Sequence, residues 1–253
     1  MVKNNNIRIK TPQELLLMRE AGKILAEIFE ELKSSLKIGM TTGEVDACVE
    51  ALINKRHVIA AFKGYRGYPA CACLSVNEEV IHGIPGKRIL KDGDIMGIDI
   101  GIIYKNYYSD MAMTVGMGTL EASIQKLLDV TRQALHRGIA EARPGNRLSN
   151  ISNAVQVYVE SKGFSVVRDF VGHGIGSRLH EDPEIPNYGK PGQGPVLQAG
   201  MVLAIEPMVN MGTWKTKTLE DGWTAVTVDK KHSAHFEHTI AITELGPEIL
   251  TVE

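Results

Sequence analysis

The chain has 253 residues, 43% of them hydrophobic and 23% charged, the composition of an ordinary globular protein with room for one large domain. Its 28 basic and 30 acidic side chains leave a net charge of -2, which excludes a broad field for nucleic acid, although Lys215, Lys217, Lys230 and Lys231 gather in one solvated loop region. The opening MVKNNNIRIK has no apolar signal core and no stretch approaches the roughly 18 apolar residues of a membrane span, so a cytoplasmic protein is expected.

In chain order, apolar residues three and four apart predict a long helix over Pro12–Leu36. LKIGMTTGEVDACVEALI follows, a turn and a capped amphipathic helix. Glycines at 64, 67, 83 and 93 mark turns between strands. The three cysteines, Cys48, Cys71 and Cys73, are an odd number that predicts no disulfide framework. Cys48 reads as core, and Cys71 and Cys73 as small buried hydrophobes sharing one face of a strand. A second long helix is predicted over Glu121–Ala142, then ARPGNRLSNISNAVQVYV echoes the earlier turn and helix, with Gly145 lying 106 positions after Gly39. LKDGDIMGID and LQAGMVLAIE form a second echo, aligning Gly93 with Gly200 and Asp99 with Glu206 at a separation of 107. Further turns are marked by Gly172, Gly174, Gly200, Gly212 and Gly222. Each half therefore reads helix, helix, strands, which predicts an α+β fold with a curved antiparallel sheet backed by helices. No low-complexity linker divides the halves, about 11–118 and 119–253, so a single catalytic domain over 1–253 is expected.

Five residues carry hard-metal chemistry, each inside its own short motif: Asp99 in GIDIG, Asp110 in YYSD, His173 in GHGIG, Glu206 in AIEPM and Glu237 in FEHT. Four carboxylates with one imidazole suit two divalent ions such as manganese, iron(II) or cobalt, whereas structural zinc would ask for clustered Cys and His. The flanking stretches are apolar and β-branched, and burying even one unpaired carboxylate costs several kcal/mol, so converging acids call for cations. Between Asp99 and Asp110 the segment GIIYKNYYS has the length of a hairpin, which lets both acids meet on one face. Alone, His173 would read as a structural histidine and Glu206 or Glu237 as half of an ion pair. Pro207 after Glu206 marks a strand end. A dinuclear centre of this kind serves metal-assisted amide hydrolysis.

The wording and order of VNEEVIHGIPG, LKDGDIMGIDIG, GHGIG with HEDPEIPNYG, MVLAIEPMVN, LEDGWTAVT and SAHFEHTIAIT make the chain resemble the methionine aminopeptidases of the short, type I bacterial kind. The resemblance covers about Thr11 to Val252 and implies the pita-bread fold of two pseudo-symmetric halves. It implies that two divalent metal ions per chain (cobalt, manganese, iron(II) or zinc) are held by Asp99, Asp110, His173, Glu206 and Glu237, with Asp110 and Glu237 bridging and Glu206 also shuttling protons. His180 matches the donor to the carbonyl oxygen and His82 a contact of the scissile amide nitrogen. Tyr65, Tyr68, Cys73 and Trp223, with Phe62 and Leu179, match the pocket for the methionine side chain. Asn77 and Ser233 match positions that hold a monovalent cation in some relatives. The implied partners are nascent polypeptide N-termini and, through them, the ribosome, with neither membrane nor specific nucleic-acid binding. The 26 positions from His180 to Glu206 leave no room for the type II insertion, and the bare domain suggests a monomer. Two rival readings are a pita-bread peptidase cleaving before proline and a metal-free binding scaffold of the same fold.

Overall fold

The computed structural model describes residues 6–252, so part of the opening segment and the last residue of the expected domain lie outside it. Four helices, α1 (Pro12–Ser35), α2 (Thr42–Lys55), α3 (Ala122–Glu141) and α4 (Leu148–Ser161), alternate in pairs with strands. Thr11 and Thr41 each accept the backbone N–H three residues on, at 3.3 and 3.2 Å, while Glu14 and Glu44 return a carboxylate to the cap N–H at 2.7 Å. These capping boxes, with Pro12 in the first turn of α1, satisfy donors that would otherwise be orphaned.

The echo of α2 departs from that pattern, because the N-cap residue of α4, Arg147, makes no side-chain cap bond. Backbone replaces it. The N–H groups of Leu148 and Ser149 donate to the carbonyls of Pro195 and Gln193 at 3.0 and 3.2 Å, as those of Thr42 and Gly43 donate to Arg88 and Gly86 at 2.9 and 2.8 Å. Gly39 to Leu90 and Gly145 to Leu197 are likewise matched, at 2.8 and 2.9 Å. Isolated bridges pair Thr41 with Ile89 and Arg147 with Val196. The repeat is thus carried by backbone bonds at an offset of 106 or 107, more than by capping chemistry.

Nine strands form one curled antiparallel sheet, running 59–60, 95–104, 107–116, 237–243, 202–205, 171–174 and 181–186, with 72–76 also paired to 95–104 and 246–249 to 237–243. Period-2 alternation sorts its faces. Ile98, Ile100 and Ile102 pack with Leu25, Phe29, Leu32 and Val49 of α1 and α2, and Leu203, Ile205, Ile240 and Ile242 pack with Leu127, Leu135, Ile151 and Val155 of α3 and α4. The intervening residues, Asp99, Ala204, Thr239 and their neighbours, face the opposite, concave side. No helix among the described residues is long and apolar enough to cross a membrane.

Two local expectations need correction. Gly172 and Gly174 lie inside the strand Val171–Gly174 and not at turns, whereas Gly64, Gly67, Gly93, Gly200 and Gly222 have the positive φ that turns require. Cys71 and Cys73 do not share a face: Cys71 precedes the strand Ala72–Val76, its N–H bonded to Asp46, and joins the helix-side core, while Cys73 joins the cluster around Phe62 and Leu179. All three cysteines are free.

Ile100 is fully buried against the helices, so Ile100→Ala is expected to cost about 2–5 kcal/mol of unfolding free energy in a denaturant titration. Because its side chain faces away from the concave side, metal binding by the molecules that remain folded should be unchanged.

Candidate metal centre and substrate cleft

Strand register alone brings the five metal-type residues together. Cys73 pairs with Asp99, Asp99 with Ala112 and Ala112 with Glu237, so these four form one row across the concave face. Asp110, two residues before Ala112, points the same way. A second row runs His173, Ala204, Thr239, and Glu206 lies two residues beyond Ala204. The alanines hold open the space between the ligands, where a longer side chain would fill it.

Two threonines set the spacing of the central strands. Continuing the Glu237–Ala112 pairing would place Thr239 opposite Asp110 and Thr114 opposite His235, yet in both places a hydroxyl stands in for the backbone rung. Thr239 Oγ1 accepts from Asp110 N at 3.1 Å and donates to Asp110 O at 2.7 Å; Thr114 Oγ1 does the same for His235, at 2.9 Å each. Each fully spent hydroxyl fixes the backbone of a residue in or beside the cluster.

Gly172 and Gly174 make room for His173 between strands. A Cβ on Gly172 would come within 2.5 Å of the Ala204 carbonyl, and one on Gly174 would collide with that of Asp182. His173 Nδ1 lies 2.9 Å from the Gly174 carbonyl and donates to it, which leaves the Nε2 lone pair free to ligate. Nε2 stands 3.5 Å from Glu206 Oε1 and 4.0 Å from Asp110 Oδ2. Asp110, His173 and Glu237 each offer a ligand atom within 4.8 Å of the others.

The electrostatics of this cluster are those of a site built for cations. Asp99, Asp110, Glu206 and Glu237 are all buried, and Asp99 Oδ1, Asp110 Oδ1 and Glu237 Oε1 have no hydrogen-bond partner. Burial, then repulsion from neighbouring acids, holds Asp99, Glu206 and Glu237 well above the ordinary carboxylate range, and burial raises Asp110 to about 7. Burial and His180 depress His173 to about 3, so it is neutral, the ligating form. Orphaned carboxylate oxygens converging with a neutral imidazole fit divalent cations.

A cavity of about 220 Å³ opens over the cluster, lined by every expected metal, catalytic and substrate-pocket residue: Tyr65, Tyr68, Cys73, His82, Asp99, Asp110, His173, His180, Glu206, Trp223 and Glu237, along with Phe62 and Leu179. Tyr65 Oη lies 2.8 Å from His180 Nδ1. Tyr68 packs edge-on to Trp223 with centroids 5.1 Å apart, and its hydroxyl donates to the Ala72 and Gly83 carbonyls. His82 has a left-handed backbone, φ 60°, the kind of strain found at functional sites. Burial and the nearby His180 lower it to about 4, and burial followed by Arg66 lowers His180. Asn77 and Ser233 do not line this cavity; the Asn77 amide is spent on Asp94 and Ile95, and its carbonyl accepts the Ser233 N–H at 2.9 Å.

The sequence reading missed Arg66 and Ile81 on the cavity wall and His235 beneath it. His235 Nε2, buried without a hydrogen-bond partner, stands 3.7 Å from Glu206 Oε2. Its place two residues before Glu237 was a usable period-2 signal. Nothing in YRGY distinguishes Arg66 from an ordinary surface cation.

Residues 16–244 match metallopeptidase family M24. Methionine aminopeptidase 1 of Bacillus subtilis is 58% identical over 242 residues, spanning 96% of this chain and 98% of its own. The crystal structure of methionine aminopeptidase from Thermotoga maritima superposes with a TM-score of 0.96 at 51% identity, covering 98% of this chain and 100% of that one. Prolidase from Pyrococcus furiosus, at 24% identity and a TM-score of 0.80 over 97% of this chain and 65% of its own, shares the fold.

Asp110, raised to about 7, keeps its proton into the neutral range, and a cation must displace it. Manganese(II) affinity is therefore expected to rise with pH up to about 7, each metal-binding event releasing protons. Isothermal titration calorimetry of chelator-treated protein in two buffers of different ionisation heat reads that release directly. Binding with no proton release would remove the carboxylates from the ligand set.

Proposed function

The chain belongs to the methionine aminopeptidases of metallopeptidase family M24, and we propose that it removes the N-terminal methionine from nascent proteins and peptides with preference for a small second residue. The observation that carries the reading is one cavity in which aromatic, Leu and Cys side chains adjoin a cluster of buried acids with unpartnered oxygens. Asp99, Asp110, His173, Glu206 and Glu237 are the proposed ligands. Two divalent cations there, of cobalt, manganese, iron(II) or zinc, would lower the pKa of bound water towards neutrality and polarise the peptide carbonyl.

The chain's own groups complete the chemistry. Phe62, Tyr65, Tyr68, Cys73, Leu179 and Trp223 close around an unbranched thioether, for which aromatic and sulfur surfaces are suited. Tyr65 Oη lies 2.8 Å from His180 Nδ1, and the tautomer in which the hydroxyl donates puts the ring proton on Nε2, ready to donate to the carbonyl oxygen as it becomes an oxyanion. Neutral His82 faces the amide nitrogen from the strained turn, and Glu206 takes the proton from the attacking water and returns it to the leaving amine. His82 and His180 stand on either side of the scissile bond, leaving little room for the second side chain. A monovalent cation near Ser233 and the Asn77 carbonyl belongs to the same proposal. So do a single catalytic domain of two halves, about 11–118 and 119–253, a monomeric state, a cytoplasmic location and contact with the ribosome.

His180→Ala is expected to lower kcat by roughly 10²- to 10³-fold, the loss of one oxyanion donor, with metal content unchanged. Loss of a metal equivalent would reassign His180 as a ligand.

The substrate reading is tested by comparing kcat/KM for Met-Ala-Ser, Met-Lys-Ser and Leu-Ala-Ser peptides. A hundredfold preference for the Ala over the Lys peptide corresponds to about 2.7 kcal/mol at the transition state. Similar values for those two would overturn the narrow cleft, and equal cleavage of the Leu peptide would overturn the methionine slot.

A further inference from the structure

The turn Gly176–His180 carries two cavity residues, Leu179 and His180, on backbone that is neither helix nor strand. Its shape is set from outside the cavity. Glu181 Oε1 accepts the Arg178 N–H at 3.2 Å and the Ser177 hydroxyl at 3.4 Å, and Oε2 takes the Lys10 ammonium at 2.9 Å. Both side chains of this ion pair are almost fully buried, at 2% and 4% exposure. Lys10 arrives from the segment before α1, 171 positions away in sequence. It is itself pinned, its N–H donating to the Gly200 carbonyl at 2.8 Å and its Nζ to the Arg8 carbonyl at 3.3 Å. Arg8 also reaches the turn, bonding Ser177 Oγ at 2.8 Å. Gly176 leaves the necessary gap, since a Cβ there would lie 2.6 Å from Lys10 Cε and 2.7 Å from Glu181 Oε1.

A buried ion pair is a costly way to hold a turn, because two apolar side chains of similar volume are commonly as stable or more so. An apolar pair, however, cannot accept the Ser177 and Arg178 donors, and it has no direction. We propose that Lys10 and Glu181 are positioning residues that fix the 176–181 turn so that His180 Nε2 aims at the substrate carbonyl, an inference that rests on the oxyanion role of His180 given above. Neither residue touches the substrate. Lys10 tethers Glu181, Glu181 orders the turn, and the turn presents the ring whose Nδ1 lies against the Tyr65 hydroxyl.

The test replaces the pair together, Lys10→Met with Glu181→Leu, so that no lone charge is left buried. The expected protein has near-native Tm, metal stoichiometry and KM for Met-Ala-Ser, with kcat lowered about 10- to 100-fold, the scale of a small misplacement of a reacting group. In a His180→Ala background the same pair should cause no further loss, because residues acting through one group are not additive. Glu181→Gln, a milder change, is read in the same two backgrounds with the same non-additivity expected. Wild-type kcat in the pair variant, or an equal loss in both backgrounds, would overturn the inference. If His180→Ala alone kept wild-type kcat, the oxyanion role would fall first and take the inference with it, a failure visible before the pair is scored.

Discussion

Four carboxylates share one buried face, and the rest of the molecule is arranged around the cost of keeping them there. Three of their oxygens have no hydrogen-bond partner, and burial holds all four acids above their ordinary range, with repulsion from neighbouring acids adding to it for Asp99, Glu206 and Glu237. Such a cluster is tolerable only with protons or cations between its members. A sheet backed by two pairs of helices can carry it, because apolar packing on the convex side supplies the stability that the concave side consumes. The alternation that buries Ile98 and Ile100 is the same alternation that aims Asp99 inward.

The threonine rungs belong to this logic. Between the strands 107–116 and 237–243 the ladder keeps only the pairs Glu237–Ala112 and His238–Met111, and hydroxyls of Thr114 and Thr239 bridge the positions on either side. A side-chain oxygen inserted between strands holds them farther apart than a direct rung, yet leaves no backbone group unsatisfied. Strand spacing, and with it the distance between Asp110 and Glu237, is thereby set by side chains that the sequence presents as ordinary β-formers.

Much of this was legible in the sequence, and the boundary of legibility has a physical cause. Helix extents follow local periodicity and capping, so Pro12–Leu36 and Glu121–Ala142 were close to the observed Pro12–Ser35 and Ala122–Glu141. The five ligand-type residues each sat in a distinctive local motif, whereas Gly172 and Gly174, expected at turns, lie inside a strand. Register was not legible, since it is fixed by pairings between strands far apart in the chain. The Tyr65–His180 bond, 115 positions apart, and the Lys10–Glu181 pair carry no local pattern at all. The mistaken common face for Cys71 and Cys73 has a similar origin, as period-2 reasoning holds only inside a strand and this one begins at Ala72. The missing cap on α4 shows the reverse case, in which tertiary carbonyls replace a local signal.

The row that joins Asp99 to Glu237 also has a meaning in time. A chain leaving the ribosome presents Asp99 and Asp110 early, but the central strand 237–243, which pairs on one side with 107–116 and on the other with 202–205, comes near the end. Within the nine-stranded sheet, that strand is the one link between the flank carrying Asp99 and Asp110 and the flank carrying His173. The proposed ligand set is therefore complete only when that strand is in place, since Glu237 lies on it and Asp99 and Asp110 lie on the strands to one side.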